Sequence, residues 1–508
     1  MNNSLNRPVP LGMMPYQGAD HFKTTKIRTM LPEVLTKNSE KSINNIASLF
    51  DLIPIVDGMT LSFHHHLRNG DAVLNMVAEE IKKRNLKNMT LAPSAIFPIH
   101  APLVELIKNK NVTQIITNYM NGPVADIISQ GYMENLVIMD THGGRPRAIE
   151  SGELKIDVAF IAVPNSDRLG NGNGIYGKNA CGSLGYIIAD MKYAKHKVVI
   201  TDSISKDINP IEIEAKYIDY VIEVDSIGDI SGIVSGTTKP TKDPVQLKIA
   251  KDTVELIEEL GYLKENMSFQ TGAGGTSLAV ADELKKRMIK KHIKGSFASG
   301  GITSYLVQMH ENGLFKHLYD VQCFDHEAIS SLSRNINHHL MSASKYANPF
   351  EIKPMVNDLD VVILGATEID LDFNVNVTTD SHGKIIGGSG GHADTAYGSK
   401  LCIITTNLVK SRTSMIKNHV TTITTPGQTI DCLVTERGIA INPLRVDLLN
   451  HLKNTKLNIV PISSLLEKAY QMTGVPNELQ KSDHIIGVVR YRDGSIIDSI
   501  YLIGDHEL

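Results

Sequence analysis

An α/β architecture of two tandem, related open units with mainly parallel sheets is what this 508-residue sequence predicts. Three features predict it. Short apolar, β-rich runs alternate with helical patterns along most of the chain. A strand–loop–helix–strand stretch of the first half recurs in the second. Gly-rich loops follow several of the strand-like runs.

Residues 1–45 are polar and carry Pro8, Pro10, Pro15 and Pro32. They read as an extended N-terminal arm that wraps another element. Residues 46–227 then read as a first α/β domain. Strand-like runs fall at Met59–Phe63, Met89–Leu91, Gln114–Thr117, Leu136–Asp140, Val158–Val163 and Val198–Thr201, with a helical pattern over Asp71–Arg84. Continuous apolar strands between helices imply a parallel sheet covered on both faces. The Gly-, Ser- and Thr-rich segment Asp225–Asp243 marks the boundary, and residues 228–508 form the second α/β domain. Its opening repeats the first. Ser62-Phe63 leads to Val77–Arg84 and then Ala92-Pro93-Ser94. Ser268-Phe269 leads to Val280–Arg287 and then Ala298-Ser299-Gly300. Two similar open sheets place a ligand crevice between them. Near the end, Arg490–Ile496 carries an Asp-Gly turn and reads as a hairpin that closes a sheet edge.

Composition removes several function classes. Lys plus Arg (51) nearly balance Asp plus Glu (55), so the chain lacks the basic excess that nucleic-acid backbones require. The absence of Trp argues further against single-strand stacking platforms. No apolar run approaches the ~20 residues of a membrane span, and the first twenty residues hold no signal-peptide core. The four cysteines form no CxxC pair and read as free thiols of a cytoplasmic protein.

The sharpest loop is Gln270-Thr271-Gly272-Ala273-Gly274-Gly275-Thr276-Ser277, between a strand (Met267–Gln270) and a helix (Ser277–Lys290). Glycines let the backbone turn tightly and approach a ligand, and amides at the helix start can hold a phosphate or an oxyanion. A dinucleotide fingerprint fits poorly. Ser277 stands at the last glycine position, and the next strand ends in Phe297–Gly301 without the acidic residue. Other Gly-rich loops are Thr141–Arg147, Pro164–Gly174 and Gly387–Asp394. Arg145 and Arg168 lie in two of these and are candidate partners for carboxylates. Successive residues of a strand alternate faces, so at most two of His64, His65 and His66 are expected to face one crevice. No histidine or acidic group has recognised metal-ligand spacing, and no metal site is expected. Gly391–Lys400 misses the P-loop spacing, and no G-x-S-x-G elbow is present.

Together these loops resemble the citrate lyase alpha-subunit family, within the wider CoA-transferase superfamily. The resemblance runs over most of the chain. It is carried by Phe63–Arg68, Gly143–Arg147, Gln270–Ser277, Gly387–Asp394 and the late Val434-Thr435-Glu436-Arg437-Gly438-Ile439-Ala440. It implies two open α/β domains of the CoA-transferase type. It also implies a reaction: citrate replaces acetate on the thioester of an acyl-carrier protein or CoA, giving citryl-carrier and acetate. Implied partners are a beta subunit that cleaves the citryl-carrier and a gamma carrier subunit, within a homo-oligomeric complex. No tightly bound cofactor is implied. Acetyl-CoA or the carrier's CoA-like prosthetic group is a substrate, and magnesium can enter with citrate.

Many CoA-transferases use a glutamate on the strand after the Gly-rich turn. Here that stretch, Gly295–Gly301, holds no acid. The resemblance therefore points to direct exchange without a glutamyl thioester, with Gly272, Ala273, Gly274 and Gly275 holding the oxyanion. The nearest glutamates lie elsewhere, at Glu311, Glu327, Glu368 and Glu436. Citrate would be bound by Arg145, Arg168 and Arg68, supported by His64, His66, Asn118, Gly300 and Gly301. CoA or the carrier would lie against Gly387, Gly388, Ser389, Gly390 and Gly391. Rival readings are a CoA-transferase or acyl-CoA hydrolase acting on free CoA with an acid such as citramalate, and a non-catalytic scaffold.

Overall fold

The computed structural model describes residues 1–24, 39–234, 241–272, 274–477, 479 and 481–503. The first sheet is built from β1 (Ser42–Ile43), β2 (Thr60–Phe63), β3 (Met89–Pro93), β4 (Val112–Thr117), β5 (Val137–Met139), β6 (Val158–Val163), β7 (His196–Thr201) and β8 (Tyr220–Glu223). The second contains β9 (Ser268–Thr271), β10 (Gly295–Ile302), β11 (Phe315–Cys323), β12 (His338–Leu340), β13 (Val361–Gly365), β14 (Leu401–Thr405), β15 (Cys432–Thr435) and β16 (Gly438–Ile441). A closing hairpin is formed by β17 (Lys481–Arg490) and β18 (Ile496–Ile503).

The duplication is plain in the strand order. The first sheet runs β5-β4-β3-β2-β6-β7-β8-β1, and the second runs β12-β11-β10-β9-β13-β14-β15-β16. All pairs are parallel except β15–β16 and the closing hairpin. Every residue of β6 is buried, as its unbroken apolar run requires when both faces are covered. The repeat is offset by one residue at its second strand. Ser62 pairs with Ala92, whereas Ser268 pairs with Phe297 and it is Phe269 that meets Ala298. Among the described residues, no helix is long and apolar enough to cross a membrane.

The hairpin departs from the expected boundary. β17 pairs in parallel with β5, so the last strands of the chain complete the first sheet rather than the second. Residues 1–24 lie along this hairpin. Asn3 Nδ2 donates to the Ile496 carbonyl (2.9 Å), Ser499 Oγ donates to the Pro8 carbonyl (2.8 Å), and Tyr16 packs edge-on to Tyr491 at 5.0 Å. Part of the expected boundary segment, residues 235–240, lies outside the described residues.

Buried charge explains why the chain end returns. Five helices frame the site: α1 (Val73–Lys83), α2 (Gly144–Glu150), α3 (Gly275–Lys291), α4 (Ala343–Ala347) and α5 (His392–Gly398). Asp394, in the first turn of α5, accepts from Thr141 Oγ1 (3.1 Å) and the Gly143 amide (2.9 Å) and pairs with Arg492 Nε (3.2 Å). Arg492 Nη2 also donates to the Ala347 carbonyl at 3.0 Å. Arg490 pairs with Asp140 and Glu153, and Arg147 pairs with Glu153. One fully buried carboxylate thus joins the first unit, the second unit and the hairpin turn. A Cβ on Gly143 would lie 2.0 Å from the Ala347 carbonyl oxygen, so only glycine allows this approach.

Removing one member of a buried ion pair strands the other charge. Asp394→Ala should therefore cost about 3–5 kcal/mol, read as a lowered denaturation midpoint. Asp394→Asn, which keeps an acceptor, should cost less. An unchanged midpoint for Asp394→Ala would contradict this account.

Candidate active site

The carboxyl ends of the two sheets face each other, and the side chains between them form one contiguous group. β2 ends at Phe63, so His64, His65 and His66 leave the strand, and the alternation expected of them does not apply. All three rings are buried together. The His64 and His66 centroids are 4.4 Å apart, and His65 stacks on Tyr186 at 4.9 Å. His142 packs on the same tyrosine at 4.5 Å.

The hydrogen bonds fix the tautomers. His64 Nε2 accepts from the Ala162 amide at 2.8 Å, so its proton sits on Nδ1 and is given to His66 Nδ1. His66 therefore carries its proton on Nε2, a buried donor without a partner among the described residues. His142 Nδ1 and Asn118 Oδ1 are also buried and unpartnered. Native interiors pair such atoms, so these three are available to hydrogen-bond a polar ligand. His65 spans the units: Nδ1 shares a hydrogen bond with Ser94 Oγ (2.6 Å), and Nε2 bonds Gln322 Oε1 (3.1 Å). Burial holds these rings neutral. It pulls His64 down to about 4 and His142 to about 3, with Arg145 adding to both shifts, and puts His65 and His66 well below the usual imidazole range.

The candidate arginines separate. Arg145 is buried and engaged with protein: Nη1 donates to the Ala92 carbonyl (2.8 Å), and Nη2 donates to Ser62 Oγ (2.7 Å) and Asp190 (2.8 Å), while Nε has no partner among the described residues. It ties α2 to β2 and β3, a structural task that the sequence reading did not assign to it. Arg168 is 53% exposed beside Glu40 and Ser42 at the β1 edge, away from the crevice. Arg68 is the one that faces the site. Its guanidinium lies 4.9 Å from the Phe324 ring and 5.7 Å from the Phe97 ring, and its Nη1 donates to the Ile233 carbonyl (3.3 Å).

The glycine loops divide in the same way. Gly272 and Gly274 are exposed and Gly275 opens α3, whose N-terminus has no side-chain cap. Ala273 lies outside the described residues. Gln270, entering this turn, donates from Nε2 to the Tyr346 hydroxyl (2.7 Å) and accepts from Ser299 Oγ (3.2 Å). Gly300 has φ +99°, and a Cβ there would meet the Gln270 amide at 2.7 Å. No carboxylate stands on β10. Glu311 and Glu327 pair with Arg334, Glu368 is buried against Asn376, Ser381 and Thr421, and Glu436 accepts the Leu408 amide.

Gly387, Gly388, Ser389, Gly390 and Gly391 form a wall between the units rather than an open cradle. A Cβ on Gly388 would meet the Asn118 carbonyl at 2.4 Å, Gly390 abuts His142, and Gly391 abuts the Tyr346 hydroxyl. Ser389 is buried, with its Oγ toward the Ala393 amide. Contacts thus run without a break from Gln270 through Tyr346, Gly391 and Gly390 to His142, Tyr186 and His65. Among the described residues no group of three His, Cys, Asp or Glu could hold a metal ion. Sequence reasoning missed His65, His142, Gln322, Phe324, Tyr186 and Tyr346. The first two sat in motifs already singled out. The others carried no signal, because only the facing of the sheets brings them here.

Duplicated open sheets with an uncapped Gly-rich helix start between them define an α/β protein of the CoA-transferase type. A malonate decarboxylase alpha subunit from Acinetobacter baumannii shares this fold, with a TM-score of 0.62 at 13% identity over 86% of this chain and 90% of that one. Over residues 39–503 the chain matches the family model described as citrate lyase, alpha subunit. It is 46% identical to the citrate lyase alpha chain of Escherichia coli (strain K12) over 88% of each chain. It is 42% identical to that of Klebsiella pneumoniae over 97% of this chain and 96% of the other. A solved structure of the citrate lyase alpha subunit from Streptococcus mutans in complex with citrate superposes with a TM-score of 0.95 at 42% identity, covering 99% of this chain and all of that one. The chain belongs to the citrate lyase alpha-subunit family, and the transferase class read from the sequence stands with it.

The buried imidazoles set a pH dependence. An ordinary imidazole protonates near 6.5, whereas folded His64 and His392 hold off to about 4. Their stabilisation is full above pH 6.5 and is lost as pH falls toward 4, at about 1.4 kcal/mol per pH unit for each ring. By NMR, both rings should stay neutral from about pH 8 to about pH 5.5, and a midpoint near the free-histidine value would contradict the burial.

Proposed function

We propose that this chain exchanges acetate for citrate on the thioester of a carrier protein, in the cytoplasm and within a multi-subunit complex. The observation that carries the reading is the crevice itself. It holds one guanidinium without a carboxylate partner among the described residues, neutral histidines, and an uncapped helix start. The citrate in the Streptococcus mutans relative supports the choice of acid. A beta subunit that cleaves the citryl-carrier and a gamma carrier subunit are the proposed partners, with further copies of this chain.

The exchange is written without a protein nucleophile. A citrate carboxylate oxygen attacks the acetyl thioester carbonyl, forming a C–O bond and moving the C=O electron pair onto oxygen. Amides of the Gly272–Gly275 turn and the start of α3 hold that oxyanion. Its collapse breaks the C–S bond and releases the carrier thiolate, leaving a mixed citryl–acetyl anhydride. The thiolate then attacks the citryl carbonyl and acetate departs. A carboxylate enters and a carboxylate leaves, so no proton moves in the balance. A neutral His66 suits that chemistry: it orients an oxygen atom as a single donor rather than acting as an acid. The missing carboxylate on β10 supports the same route. Arg68 binds one citrate carboxylate, and the His66 Nε2–H and the Asn118 side chain lie in the same crevice to orient the rest.

Purified chain mixed with acetyl-CoA and citrate should yield citryl-CoA and acetate by mass spectrometry, with no borohydride-trapped glutamyl adduct. The acetylated carrier protein replaces acetyl-CoA if free CoA is turned over poorly. A trapped glutamate would overturn the direct route, and absence of product with the carrier would overturn the function. Losing a charge-assisted bidentate contact costs roughly 1.5–3 kcal/mol, so Arg68→Ala should raise KM for citrate by about 10- to 100-fold. Arg168→Ala should leave it unchanged.

A further inference from the structure

The second unit contributes to the anion site through a ring. In β11 the pairing with β10 shifts register between Gly300 and Gly301: Gly300 faces Asp320, and Gly301 faces Gln322. Such a bulge bends the strand and re-aims the side chains beyond it. Two of those side chains reach across to the first unit. Gln322 bonds the His65 ring and, through Nε2, the His65 carbonyl at 3.2 Å. Phe324, whose amide donates to the Ile302 carbonyl (2.9 Å), lays its ring 4.9 Å from the Arg68 guanidinium. The seat is built for that ring: a Cβ on Gly301 would fall 1.8 Å from it.

Arg68 itself is held by backbone. Its φ is +53°, in the left-handed region, and its amide donates to the His65 carbonyl at 2.8 Å in the turn leaving the histidines. Phe97 of the first unit lies 5.7 Å from the same guanidinium. An acidic partner would neutralise Arg68 and occupy its N–H donors. Aromatic faces stabilise the cation by attraction to their π-electrons and leave those donors free.

We infer that Phe324 is a positioning residue for the reaction, holding Arg68 so that its donors stay open to a substrate carboxylate. This rests on the reading of Arg68 as the citrate-binding arginine. The anion site accordingly draws on both units, because Phe97 follows a strand of the first sheet and Phe324 follows one of the second.

The test is a double-mutant cycle on the full chain, with KM for citrate and kcat measured on acetylated carrier and thermal unfolding checked for each variant. Phe324→Leu should raise KM roughly tenfold, the order a desolvated cation–π contact supports, with kcat little changed. Phe324→Tyr, which keeps a ring face, should restore KM. In an Arg68→Ala background, Phe324→Leu should add nothing further. If Arg68→Ala leaves KM unchanged, the citrate-arginine reading fails. If Arg68→Ala raises KM while Phe324→Leu does not, or the two effects simply add, the positioning role of Phe324 is overturned and the arginine reading survives.

Discussion

The buried pair of Asp394 and Arg492 is the contact on which the rest of the arrangement depends. Its carboxylate comes from the second unit, its guanidinium from the closing hairpin, and its further donors from the turn after β5. A charge removed from water is tolerable only where partners satisfy it, so these three segments must meet in one geometry. Burial still pulls against the pair, pushing the Asp394 carboxyl up to about 6. The meeting point lies behind the crevice, and it brings Gly390 against His142.

That arrangement gives the crevice its electrostatic character. Charge is concentrated in structural pairs such as Arg145–Asp190, Arg490–Asp140 and Arg492–Asp394, each with its partner in place. The crevice between the sheets is left with neutral imidazoles, aromatic rings and Arg68. A transfer between carboxylates needs a place that attracts an anion, excludes water and offers donors to a developing oxyanion. The proposed exchange needs neither an acid nor a base, in keeping with histidines that burial holds neutral.

The glycine-rich motifs proved to be of two kinds. Gly143, Gly387 and Gly388 are glycine because backbone from another segment passes too close for a side chain, and Gly390 and Gly391 abut the His142 and Tyr346 side chains. Gly272 and Gly274 are exposed, with nothing against Gly274. A glycine run looks the same in sequence whether it makes room for protein or for a ligand. The same ambiguity explains Arg145, whose neighbouring glycines serve the docking of α4 and the hairpin.

The sequence by itself determined the elements and the repeat. Hydrophobic period and loop composition are local properties, so β2 through β7, β9 and α3 could be read within a few residues of their observed ends. The motifs around His64, Gly272 and Arg68 likewise marked the neighbourhood of the site. Tertiary structure alone decided which side chains face the crevice. The hairpin joined the first sheet because β5 offered an unpaired edge and Asp140 and Asp394 offered partners for Arg490 and Arg492. The bulge in β11 aimed Gln322 and Phe324 across the gap, and the end of β2 at Phe63 freed all three histidines from strand alternation. Those outcomes depend on pairing and packing between separate segments of the chain, and no local pattern encodes them.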